Sequence, residues 1–254
     1  MDLGISSKNA IICASSKGLG LGCATALAEA GCNIVMNGRD AAALANAAAS
    51  IRDRYNVNVT EIAGDVSRPE VQQELLGACP HVDILVNNNG GPPLRDFKDL
   101  DRAKILEGVT NNMVTPLELI QAVLPGMAER GFGRIINITS LSVYLPIAGL
   151  DLSSGARAGL TSFLAGVART VADRNVTINN LLPGKLDTER LRGQDRAGVP
   201  MTEDENKMLA NIPAKRLGTP EEFGKVCAFY CSVHAGYLTG QNVPIDGGLY
   251  VSAF

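Results

Sequence analysis

Residues 13–22 read "CASSKGLGLG" and overlap the end of "AIICA" (10–14), an apolar, β-branched run. A strand that runs into a glycine-rich turn, which in turn opens a helix, has a physical use. Backbone without a Cβ lets a pyrophosphate approach, and the helix N-terminus offers unpaired N–H groups with a partial positive charge. Ala14, Ser15, Ser16, Lys17, Gly18, Leu19 and Gly20 are therefore candidate dinucleotide contacts. Glycine turns are also common loop punctuation, so the weight lies in the placement between strand and helix at the chain's start.

Apolar runs of the same kind recur outward from this turn: "NIVMN" from 33, "VNVTEIA" from 57, "DILVN" from 83, "RIINIT" from 134, "VTINNLL" from 176 and "NVPID" from 242. Longer stretches of helical pattern lie between them, from 19, from 40 to 54, from 115, from 156 and from 219. This alternation predicts an α/β fold, a parallel sheet with helices on both faces. No linker or low-complexity tract divides the chain, so residues 1–254 are expected to form one domain. The polar stretch 185–215 is expected to act as a flap within it, with Leu186, Leu191, Met201 and Met208 suited to cover a partly apolar ligand.

Composition narrows the partners. The net charge of −3 is mixed along the chain, which leaves no basic stripe for nucleic acid and no polybasic membrane anchor. No apolar run reaches membrane-spanning length. The six cysteines form no CxxC pair and sit in apolar segments, as reduced core thiols of a cytoplasmic protein would. His81 and His234 have no catalytic context. A small-molecule substrate and copies of the same chain are the expected partners.

The second apolar run ends "NGRD". An acidic residue there would bind a ribose 2′-OH, whereas Gly38 followed by Arg39 offers room and positive charge for a 2′-phosphate. With Lys17 as a second cation, NADP(H) is favoured over NAD(H), against the alternative that both are solvated surface charges. In "GDV", Asp65 and Val66 follow the third run, where a carboxylate could accept from the adenine amine or serve as a plain turn residue.

The chain resembles the short-chain dehydrogenase/reductase family over nearly its whole length. "CASSKGLG" corresponds to that family's TGxxxGxG, with Ala14 in place of the first glycine. "NNNG" (87–90) is similar to its NNAG, which puts Asn88, Asn89 and Gly90 near the cofactor. "GRIINITS" resembles the strand ending in the catalytic serine, Ser140, and "LPGKLDT" its PGxxxT segment, with Pro183, Gly184 and Thr188 against the nicotinamide. Counting back from "QAVLPGM", Asn112 rather than Asn111 matches the helix asparagine that holds a proton-relay water. The resemblance implies a Rossmann-like doubly wound parallel sheet of about seven strands and a homo-oligomer, tetramer or dimer. The usual activity it implies is reduction of 3-oxoacyl thioesters, though fold-level analogy does not carry a substrate.

One motif departs from the family. Its YxxxK falls on Ser153 and Arg157 within "SSGAR", a register fixed by the following "ARAGLTSFLAGVAR". A phenol with its pKa lowered by a neighbouring ammonium can protonate a developing alkoxide. A serine hydroxyl is too short and too weakly acidic, and an arginine cannot shuttle protons at neutral pH, though it can still bond the nicotinamide ribose. General acid catalysis is worth about 10²- to 10⁴-fold, and an oxyanion hydrogen bond from Ser140 can be worth as much. Tyr144 is either a substitute phenol or an aromatic pocket wall; Lys185 is either a buried, pKa-lowered ammonium or a solvated lysine. An NADP(H)-dependent oxidoreductase with a non-standard proton donor is the leading expectation. A lyase or isomerase that keeps the cofactor, and a catalytically silent NADP(H)-binding subunit, are its competitors.

Overall fold

The computed structural model describes residues 1–79, 81–193 and 202–252. Seven strands build one sheet: β1 (Asn9–Ile12), β2 (Asn33–Gly38), β3 (Val59–Ala63), β4 (Ile84–Asn87), β5 (Gly133–Ile138), β6 (Val176–Pro183) and β7 (Asn242–Ile245). Their order is β3-β2-β1-β4-β5-β6-β7, and every neighbouring pair is parallel. All seven apolar runs of the sequence fall on these strands. The connecting helices are α1 (Gly18–Glu29), α2 (Ala41–Arg54), α3 (Pro69–Gly77), α4 (Arg102–Val109), α5 (Thr115–Glu129), α6 (Asp151–Thr170), α7 (Glu189–Arg192), α8 (Glu203–Ala210) and α9 (Pro220–Cys231).

The inner strands β4 and β5 are buried along their whole length because both faces are covered, while the edge strands β3 and β7 are only partly buried. Ala10 and Ile12 of β1 pack with Leu27 of α1, Leu44 and Ile51 of α2 and Phe223 of α9. Ile11 between them points the other way, toward Leu75 of α3, Leu119 and Met127 of α5 and Leu160 of α6. Each fully buried aliphatic side chain of this kind contributes about 1.5–3 kcal/mol.

The sheet winds outward from β1 through β2 to β3, then resumes at β4 on the other side of β1. That reversal opens a crevice at the carboxyl ends of β1 and β4, the place where ligands bind in open α/β sheets. Two elements differ from the sequence expectation. Helix α6 starts at Asp151, five residues before the expected 156, so the polar "DLSSG" is its first turn. The stretch 185–215 is not uniform loop: Leu186 is buried and bridges Gly218 next to the sheet, and α7 and α8 follow. Met201, assigned to the flap, lies outside the described residues.

Candidate functional site

The turn after β1 is held by a web of short bonds. Ser15 Oγ donates to Ile12 O at 2.9 Å and accepts from Asn37 N at 3.1 Å, and Ser15 N donates to Asn37 O at 2.7 Å. The Asn37 side chain in turn donates to Ile62 O and Gly64 O, so one residue ties β1, β2 and β3 together at the crevice. Ala14 sits at φ +45, the left-handed region that glycine favours. A Cβ on Gly20 would lie 2.2 Å from Ala14 O, so the turn and α1 pack backbone to backbone. Gly18, at φ +57, has its open side toward the Thr188 side chain, 3.6 Å away from where a Cβ would sit. Lys17 is the N-cap of α1 and makes no side-chain cap bond, leaving the first turn of the helix without a side-chain partner. These residues fit a dinucleotide, whose phosphates need a bare backbone at a helix N-terminus.

Asp40 is occupied as the N-cap of α2, accepting from Ala43 N at 3.0 Å. The exposed Arg39 before it reaches over the loop after β4, its Nη2 lying 3.8 Å from a Cβ built on Gly90. Asp65 is exposed and accepts from Ser67 N and Oγ, the geometry of a turn residue. Partial burial acts to raise its pKa, but the Ser67 bonds and the charges of Arg39 and Arg68 outweigh that and hold it below its ordinary value. Val66 beside it is buried.

Three further segments meet at the same edge. Asn88 Nδ2 donates to Ala14 O at 3.1 Å, and Asn89 Nδ2 donates to Asn111 O. Ser140, at the end of β5, accepts from Ser142 N at 3.1 Å and caps a short 3₁₀ turn, which leaves its hydroxyl hydrogen to donate. After β6, Pro183-Gly184 is pinned by Gly184 N to Ile245 O at 3.0 Å, and the half-buried Lys185 accepts from Gly218 N through its carbonyl. Thr188 then begins α7, from which Glu189 pairs with Lys17 at 2.5 Å and Arg190 donates to Gly91 O and Pro92 O at 3.0 and 3.2 Å. Neither Glu189 nor Arg190 was expected from the sequence; their adjacency to Thr188 was the one available signal.

Asn112 lies on a π-helical turn, Thr110–Val114, between α4 and α5. Such turns are rare and often mark functional sites. Asn112 Nδ2 donates to Gly108 O at 3.1 Å, while its buried Oδ1 has no partner. Asn112 lines a small cavity of about 10 Å³ together with Asn87, Asn137 and Arg157. Asn87 Oδ1 is likewise unpaired. Its Nδ2 begins a row of amides across the sheet, to Asn137 Oδ1, then Asn137 to Asn180 and Asn180 to Asn242, at 2.9, 2.9 and 2.7 Å.

Ser153 and Arg157, on which the sequence resemblance placed the tyrosine and lysine motif, lie in the first turns of α6. Both are buried. Arg157 donates Nε–H to Ser153 Oγ at 3.1 Å, Nη1–H to Ile138 O at 2.6 Å and Nη2–H to Asn89 O at 3.3 Å. The guanidinium thus ties α6 to the ends of β4 and β5 as a strut. Burial, and then the charge of Arg190, pull its pKa down to about 10. Tyr144 stacks on Tyr250, ring centroids 5.0 Å apart, which favours the aromatic-wall reading. No group of acidic, cysteine or histidine side chains suited to a metal occurs among the described residues.

Residues 13–250 match the family model described as enoyl-(acyl carrier protein) reductase. The 3-oxoacyl-[acyl-carrier-protein] reductase of Vibrio cholerae serotype O1 is 32% identical, over 98% of this chain and 100% of its own. The acetoacetyl-CoA reductase of Allochromatium vinosum is 30% identical, over 95% of this chain and 98% of its own. Among solved structures, L-sorbose reductase from Gluconobacter frateurii, complexed with NADPH and L-sorbose, superposes with a TM-score of 0.90 at 30% identity, covering 99% of this chain and 100% of its own.

Proposed function

The chain belongs to the short-chain dehydrogenase/reductase family, and on that premise we propose that it is an NADP(H)-dependent oxidoreductase that reduces a carbonyl compound without the family's tyrosine. The observation that carries this reading is the convergence of the glycine turn, Arg39, Ser140, Asn112 and Arg157 on one edge of the sheet. Ser15 to Gly20 cradle the diphosphate, with Arg39 and Lys17 on the 2′-phosphate and Asp65 and Val66 beside the adenine. Asn88 to Gly90, Pro183, Gly184 and Thr188 wall the nicotinamide end. The bound reduced nicotinamide supplies the hydride.

The chain's own groups do the rest. Ser140, its Oγ fixed by Ser142 N–H, gives its hydrogen to the substrate oxygen. Asn112 orders the polar cavity through its free Oδ1, and Arg157 holds positive charge beside the ribose. Tyr144 walls the substrate pocket, and Lys185 lies at the base of the flap. Exposed Ile105 and Leu106 on α4 and Phe163 on α6 support a homo-oligomer. No helix among the described residues is long and apolar enough to cross a membrane.

The test is stopped-flow absorbance of NADPH-loaded protein against ketones, 3-oxoacyl thioesters and diketones. Cofactor oxidation that falls about 10²- to 10³-fold in Ser140→Ala is expected. Tight NADPH binding with no oxidation across the panel overturns the reading in favour of redox-neutral chemistry or a silent subunit.

A further inference from the structure

Asn37, near the end of β2, is 1% exposed. Its backbone exchanges bonds with Ser15, giving N–H to Ser15 Oγ at 3.1 Å and accepting from Ser15 N on its carbonyl at 2.7 Å. Its side chain reaches both ways across the sheet. Oδ1 accepts from Ala14 N at 3.3 Å, while Nδ2 donates to Ile62 O at 3.0 Å and to Gly64 O at 3.1 Å. These three bonds use both amide hydrogens and the amide oxygen, a set that aspartate, leucine or serine at the same place cannot supply in full.

Both ends of this bridge belong to the dinucleotide crevice. On one side, Ala14 is held at φ +45 from two directions: Asn37 takes its N–H, and Asn88 Nδ2 donates to its carbonyl. Backbone in so sparsely populated a region persists only where its surroundings over-determine it. The N–H groups of Ala14 and Ser15 are both engaged by Asn37, so those of Ser16 and Lys17 are the first in the turn without a partner among the described residues. On the other side, Gly64 leads directly into Asp65 and Val66. Asn37 therefore stands between the turn expected to face a diphosphate and the strand end expected to face an adenine.

We propose that Asn37 is a positioning residue for the cofactor: it sets the spacing between residues 14–17 and residues 64–66, and through that spacing the affinity that a 5′-phosphate adds to a bound adenosine. The inference rests on the dinucleotide reading above and deepens it. A phosphate held by backbone N–H groups needs them within about 2.7–3.2 Å, so a ligand that spans both walls is sensitive to their spacing. A ligand that meets the adenine wall alone is not.

Two nucleotides separate these cases. Adenosine 2′-monophosphate offers its base and 2′-phosphate to the β3 end and Arg39, and adenosine 2′,5′-bisphosphate adds the phosphate that the turn would hold. Their dissociation constants are measured by calorimetric titration of the full chain at fixed salt. The ratio of the two on one preparation cancels any change in folded fraction, so a purely structural role for Asn37 leaves it unmoved. Wild type should bind the bisphosphate at least tenfold more tightly than the monophosphate. Asn37→Ala, which introduces no charge, should cut that advantage at least fivefold. Should Asn37→Ala not fold, Asn37→Ser is judged by the same criterion.

Equal affinity of wild type for the two nucleotides, or an undiminished advantage in the variant, overturns the positioning role while NADPH binding keeps the dinucleotide reading. Binding of neither nucleotide nor NADPH to wild type sinks that reading, and the role with it. Backbone amide spectra give a second readout that needs no ligand. Signals displaced by the substitution should concentrate at residues 13–17 and 62–66, and displacement spread evenly over the seven strands would overturn the role as well.

Discussion

Lys17, in the turn after β1, and Glu189, in the first turn of α7, form an ion pair of 2.5 Å across the mouth of the dinucleotide crevice. Both side chains are about half exposed, so the pair adds little to stability. Its effect falls on the ligand, because Glu189 occupies the cation that a phosphate needs and adds a negative charge beside it. Glu189→Gln should tighten NADPH binding by about two- to fivefold, the worth of an exposed pair of roughly 0.5–1 kcal/mol. Lys17→Ala should weaken it, and Arg39→Ala should weaken NADPH far more than NADH. Fluorescence titration at fixed salt measures all three, and a looser complex in Glu189→Gln would contradict the argument.

Ala14 holds φ at +45 where the family's motif has glycine. A left-handed residue with a Cβ costs roughly 1–2 kcal/mol, and glycine returns part of that as unfolded-state freedom, about 0.4–1 kcal/mol. Ala14→Gly should therefore raise stability by about 0.5–1 kcal/mol, or roughly 1–4 °C in Tm. Thermal melting in the absence of cofactor checks it; an unchanged or lower Tm would show that the turn is not strained.

Glu222 closes a capping box on α9 with Thr219 and also accepts both ends of the Arg216 guanidinium. The Arg216 bond, followed by the Thr219 N–H, pulls its pKa from 4.5 to about 2. Because the folded value is the lower one, the stabilisation is complete above pH 4.5 and drains away as pH falls toward 2. Side chains this exposed are screened, so the cap and pair together amount to about 1 kcal/mol. Glu222→Gln should lose that much at pH 7 and show a shallower decline between pH 4.5 and 2 in urea melts. Parallel acid limbs for both proteins would exclude the assignment.

Strands were the legible part of this chain. A parallel strand buried on both faces reads as an unbroken apolar run, as "ILVN" and "NIVMN" do. Helix α4 gave no such signal, since its apolar Ile105 and Leu106 are exposed and its pattern does not mark a core face. The π turn that presents Asn112 has no sequence signature. At the site, local motifs pointed to Ser140, Asn112 and Asn88. Long-range partners were invisible: Lys17 and Glu189 are 172 residues apart, and Asn37, which ties three strands, looks like any strand-end asparagine.

Asn137 is 1% exposed and sits in the middle of the amide row. Asn137→Ala strands Asn87 Nδ2 and Asn180 Oδ1, each worth about 1–3 kcal/mol when left unpaired in the interior. A loss of about 2–5 kcal/mol is expected, read as a Tm lower by roughly 5–15 °C. A loss under 1 kcal/mol would mean that the row is not a unit.

That row also has a direction. Asn87, Asn137 and Asn180 each give a side-chain nitrogen to the next strand, and Asn137, Asn180 and Asn242 each receive on the oxygen from the previous one. Reversing one amide therefore requires reversing all four, which leaves the row two coherent polarities. In the polarity observed, the oxygen without a partner is that of Asn87, a residue that lines the same cavity as Arg157. The row is thus a chain of aligned amide dipoles that extends from β4, beside the cavity that Arg157 lines, to the last strand of the sheet.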